Sequence, residues 1–139
     1  MSDARRRRVD CYFDGACPGN QTGGQGPMRA AFVFGPETFL RQVPDLATPS
    51  GPLRTNNVAE YHGLIWLLER IRNDPGRRET SFRIHGDSQL VIRQMKGAYR
   101  VRETHLMSLH DRASKLAADL SIEWQWIPRR ENKAGHLLE

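Results

Sequence analysis

The sequence predicts one α/β domain: a five-stranded mixed sheet, three strands antiparallel at one side, flanked by helices. Three observations predict it. Strand-like runs crowd the first third of the chain, helical spacing then takes over, and isolated strand-like runs return between helical stretches. The resulting order, βββαβααβα, requires a mixed sheet. Strands joined by short turns pair antiparallel, whereas strands separated by a helix are brought together by crossovers. At 139 residues, 38% hydrophobic and 27% charged, a single domain can bury a core without disulfide staples.

Each element has its own signal. "VDCYFDG" (9–15) alternates apolar and polar residues and reads as a strand. "ACPGNQTGGQGP" (16–27) is a loop, punctuated by Gly, Pro and Asn. "MRAAFVFG" (28–35) and "TFLRQVP" (38–44) form a hairpin through "GPE", and 45–55 is a further loop. Between 57 and 72, Leu64, Leu67, Leu68 and Ile71 fall on one helical stripe, which "NDPG" stops. A strand follows at 81–87 and a short helix at 88–97, ended by Gly97. The stretch 103–120 is amphipathic, with Leu106, Leu109, Ala113, Leu116 and Leu120 at helical spacing. Residues 121–128 alternate as a strand, and 131–139 begin a last helix. Residues 1–8, with "RRRR", read as a solvated basic tail ahead of a domain at 9–139.

Composition narrows the setting. No run approaches the roughly 20 apolar residues of a membrane helix, so no membrane partner is expected. The N-terminal arginines are not followed by the apolar core of a secretory signal. Two cysteines, Cys11 and Cys17, make neither a disulfide framework nor a zinc pattern, which suits a reducing, cytoplasmic location. The formal charge of +5 suits a polyanionic partner.

Three acids occupy comparable positions. Asp14 and Asp87 each end a strand, and Glu60 falls in the first turn of the long helix. Singly, each has an ordinary explanation: a turn residue, a helix-dipole partner and an N-cap. Together they can converge beyond the carboxyl ends of the strands, where open α/β sheets bind ligands. At about 4 Å and an effective dielectric near 20, each carboxylate pair repels by on the order of 4 kcal/mol. Hard divalent cations make such a cluster tolerable.

The stretches "YFDGACPGN", "TNNVAEY", "IHGDSQLVI" and "PRRENKAGH" come in the order and spacing of type 1 ribonuclease H, which the chain resembles over roughly 9–139. The resemblance implies the ribonuclease H-like fold and cleavage of the RNA strand of RNA–DNA hybrids to 5′-phosphate and 3′-hydroxyl ends. It assigns Asp14, Glu60 and Asp87 to three of the four positions that hold two Mg2+ ions. It implies substrate contacts at Gly15, Cys17 and Asn20 in the first loop, at Thr55, Asn56 and Asn57 before the glutamate, and at Ser88 and Gln89 after the third acid. Amide side chains and close backbone suit a minor-groove edge and 2′-hydroxyls.

The sequence departs from that pattern at three places. The fourth acid's position holds His136, four residues after Asn132. Imidazole is a competent ligand without negative charge, so the expectation is an active enzyme with weakened Mg2+ binding, a preference for Mn2+, and metal binding that falls in acid. The connection 96–105 lacks the extra basic helix of some bacterial members, giving a compact, archaeal-like or stripped-down bacterial variant without a separate hybrid-binding module. The loop before the last helix is reduced to "IPRREN", leaving Arg129 or Arg130 to contact phosphate or assist product release. The rival reading is a module that binds hybrid or double-stranded RNA and has lost turnover through His136. A second rival keeps catalysis on another nucleic acid, as DNA resolvases and integrases of the wider superfamily do. "TNNVAE" and "DSQ" argue against it.

A monomer is expected. Arg54, Lys96, Arg100 and Arg102 are further candidate phosphate contacts. The remaining histidines and the three tryptophans read as surface or packing residues.

Overall fold

The structure is a computed structural model that describes residues 6–19 and 27–139. Among the described residues, seven strands and four α-helices follow in order: β1 (Arg7–Ala16), β2 (Met28–Phe34), β3 (Glu37–Val43), β4 (Leu46–Thr48), β5 (Gly51–Leu53), α1 (Asn56–Arg72), β6 (Thr80–Gly86), α2 (Gln89–Met95), α3 (Thr104–Ala117), β7 (Ser121–Trp126) and α4 (Lys133–Leu137). The main sheet has the order β3-β2-β1-β6-β7. β3, β2 and β1 pair antiparallel, while β1, β6 and β7 run parallel, so the mixed five-stranded sheet is as expected.

The strands' twofold alternation divides the molecule. Cys11 and Phe13 of β1 face the larger core with Leu64, Leu67, Leu68 and Ile71 of α1, and Leu106, Leu109 and Ala113 of α3 close it. Each fully buried leucine of that stripe contributes roughly 1.5–3 kcal/mol. On the sheet's other face, Ala31 and Val33 of β2 pack with Ala134 and Leu138 around α4. Thr55 caps α1, its hydroxyl accepting from the Val58 amide at 3.1 Å.

Two expectations are corrected here. The loop at 45–55 contains a small hairpin, β4 with β5, whose Leu46 and Leu53 pair and lean on the main core. Its turn needs Gly51, at φ +113°. The prolines and the three-residue strands gave no alternating pattern to read. The second correction concerns the basic tail: β1 begins at Arg7, which pairs in register with Thr80, as Arg8 does with Ser81. Arg7 also meets the buried carboxylate of Asp74 at 2.6 Å, so these two arginines belong to the domain.

Candidate active site

The parallel pairing of β1 with β6 sets the first two acids side by side. Tyr12 pairs with His85, so Asp14 and Asp87 lie two residues farther along, at the carboxyl end of this parallel pair. Glu60 arrives from α1, which needs a close approach to the sheet. A Cβ on Gly15 would stand 2.2 Å from the Ala59 carbonyl carbon, and one on Gly63 would stand 2.6 Å from the Asp14 carbonyl oxygen. Two missing side chains therefore let the helix backbone rest on β1. Glu60 is the fifth helical residue, beyond the first turn where the sequence had suggested it, and no acid lies in that first turn.

Asp14, Glu60 and Asp87 each bring a carboxylate oxygen within 4.8 Å of the others. Burial raises the Asp14 pKa to about 7, and the neighbouring Asp87 adds to it. Burial likewise raises Glu60 to about 8, against a hydrogen bond from Ser88 that favours the ionised form. Asp87 is raised by burial and held down by Asn132. One oxygen of Glu60, Oε2, is buried without a hydrogen-bond partner among the described residues. Clustered, partly desolvated carboxylates with an orphaned oxygen are what a hard divalent cation would satisfy, so these three residues fit a metal site. The cleft above them holds about 550 Å³; Gly15 to Gly19, Asn56 and Arg129 form its walls.

The other expected residues divide. Asn56 accepts the Cys17 amide at 2.9 Å, tying the first loop to α1. Thr55 and Ser88 are the N-caps of α1 and α2, and Ser88 also reaches Glu60. Asn57 is half-buried in the first turn of α1, and Gln89 is exposed at the start of α2. Asn20 lies outside the described residues. His136 is exposed and does not join the carboxylates; its Nε2 donates to the Arg130 carbonyl at 3.0 Å. The neighbouring backbone does reach the site, since a Cβ on Gly135 would lie 2.9 Å from Asp14 Oδ2.

Sequence reasoning missed two residues and left a third undecided. Asn132 is fully buried: its Nδ2 donates to the Phe13 carbonyl at 3.0 Å and, more distantly, to Asp87 at 3.4 Å. Its Oδ1 accepts the Ala134 amide, capping α4. An asparagine directly before a helix was the available signal. Arg129, rather than Arg130, lines the cleft, and its charge eases ionisation of all three acids. Trp126 was read as packing, yet it is 45% exposed beside Asp87. Trp66 and Trp124 do pack against the core.

A family pattern described as reverse transcriptase-like matches residues 45–138. The chain belongs to that family. Ribonuclease HI of Halobacterium salinarum is 33% identical over 138 residues, which cover 96% of this chain and 63% of that protein. A ribonuclease H1 crystal structure from the same organism superposes with a TM-score of 0.75 at 29% identity, covering 94% and 93% of the two chains. LC11 ribonuclease H1, solved in complex with an RNA/DNA hybrid, superposes with a TM-score of 0.73 at 26% identity, covering 90% and 88%. A bifunctional protein of Mycobacterium tuberculosis is 38% identical over 79 residues, 56% of this chain. The chain spans only 21% of that relative's length. The likeness to type 1 ribonuclease H carried by the four motifs is thus borne out, and the fold is the ribonuclease H fold.

Proposed function

We propose that this reverse transcriptase-like domain is a divalent-metal-dependent ribonuclease H that cuts the RNA strand of RNA–DNA hybrids, leaving 5′-phosphate and 3′-hydroxyl ends. The convergence of Asp14, Glu60 and Asp87 around an unsatisfied buried oxygen carries the reading. The hybrid bound by LC11 ribonuclease H1 supports the substrate.

Asp14, Glu60 and Asp87 would hold Mg2+ or Mn2+. When bound, such ions neutralise the carboxylates and polarise a phosphodiester toward hydrolysis. Residues of the chain supply the rest. Ser88 orients Glu60, and Asn132 orients Asp87. Asn56 fixes the loop whose Gly15 and Cys17 backbone would approach a 2′-hydroxyl, the group that separates RNA from DNA. Arg129 lines the cleft and would offer its guanidinium fork to a phosphate bound there. A monomer suffices, since all three acids come from one chain. The free, buried Cys11 and Cys17 accord with a cytoplasmic setting.

The withdrawn position of His136 favours a second reading, in which the domain binds hybrid or double-stranded RNA and turns over weakly. A labelled hybrid, a double-stranded RNA and a DNA duplex incubated in Mg2+ or Mn2+ separate the two. Cuts confined to the hybrid RNA strand, and lost in Asp14→Asn, support the nuclease. Binding without cuts in either metal supports the module.

A further inference from the structure

Asp87 is the single residue between Gly86, the last of β6, and Ser88, the cap of α2. Its carbonyl belongs to neither ladder, and among the described residues no main-chain amide reaches it. The indole Nε1 of Trp126 donates to it instead, at 3.0 Å. Trp126 also pairs with Gly86 across the sheet, and the next amide, Ile127, donates to the Gly86 carbonyl at 3.0 Å. Asn132 meets the Asp87 side chain at 3.4 Å. One segment, 126–132, therefore holds this acid at its main chain and at its carboxylate. A half-exposed indole that served packing alone would leave its N–H to water, as exposed tryptophans can. Here the ring stays 45% exposed while its polar edge turns inward.

We infer that Trp126 is a positioning residue for the third carboxylate, fixing the Asp87 main chain through its indole N–H. The inference rests on the metal-holding role of the three acids proposed above. Freed of that bond, the β6–α2 junction relaxes and Asp87 spends less time facing Asp14 and Glu60. Trp126→Phe keeps the ring and deletes the donor, so Mn2+ binding followed by calorimetry should weaken about fivefold, the worth of one net hydrogen bond. Hybrid cleavage should lose kcat with KM unchanged. Trp126→His restores a ring N–H and should recover part of the Mn2+ affinity. Trp66→Phe, remote on the Phe39 side of α1, should match the natural chain.

The Trp126→Phe effect should vanish in an Asp87→Asn background, which distinguishes positioning from general loosening. Mn2+ binding unchanged by Trp126→Phe, or weakened equally by Phe and His, overturns the inference alone. Absence of Mn2+ binding by the natural chain overturns the functional reading and this inference with it.

Discussion

Asp14, Glu60 and Asp87 ride on β1, α1 and the β6–α2 junction, elements that share the larger core. His136 rides on α4, five residues long and held to the sheet's other face chiefly by Ala134 and Leu138. The three acids meet because a parallel strand pair and a close helix–sheet contact leave them nowhere else to point. The histidine is exposed and satisfied by a carbonyl six residues back. The backbone of its neighbour Gly135 closes on Asp14, while the histidine ring turns to Arg130. The difference teaches that one end of a sheet can enforce one set of side chains through its core and leave a neighbour free to turn away.

The comparison breaks most severely at Asp14. Asp14→Asn should abolish hybrid cleavage in Mg2+ and Mn2+ alike, measured with labelled hybrid, whereas His136→Ala should retain cleavage in Mn2+. Equal loss in both would place the histidine among the essential groups.

The next effect is on stability without divalent ions. Asp14 and Glu60 ionise less readily in the fold, at about 7 and about 8, than carboxylates of an unfolded chain. A raised pKa means that the folded state binds the extra protons. Stability from these groups is therefore complete below pH of about 4 and declines as pH rises through 7 to 8. Asp14→Asn removes one such charge and should stabilise the metal-free protein at pH 8 by on the order of 2–4 kcal/mol, with little gain at pH 4. Urea unfolding at the two pH values measures it; an equal gain at both would contradict the buried-charge explanation. Mg2+ added at pH 8 should narrow the gap.

Asn132→Ala probes the brace common to both regions, because Asn132 holds β1 and Asp87 and also caps α4. Losing these buried bonds should cost about 1–3 kcal/mol of unfolding free energy. The smallest expected change is His136→Asp, which adds charge without disturbing the core. It should raise Mg2+-supported cleavage relative to Mn2+; identical metal profiles would leave the histidine without a part in the site.

Much of this was legible beforehand because it follows from periodicity. The α1 stripe of Leu64, Leu67, Leu68 and Ile71 and the β1 alternation both gave the core and its direction. The three acids were legible because each sits beside punctuation: Asp14 before Gly15, Glu60 after "TNN" and Asp87 before Ser88. Contacts that depend on tertiary approach were not. Nothing local tells that the Trp126 indole reaches back to Asp87, or that Arg129 rather than Arg130 faces the cleft. The β4–β5 hairpin was hidden because its strands are three residues long and their partners lie in the turn chemistry of "TPSGP".

The bare Cα positions of Gly15 and Gly63 act as a spacer gauge. They fix the distance between helix and strand by main chain against main chain, with no side chain free to compress or swell between them. A homologue or redesign could therefore keep every acidic residue and still be blind to cations, if a single methyl were added at either glycine.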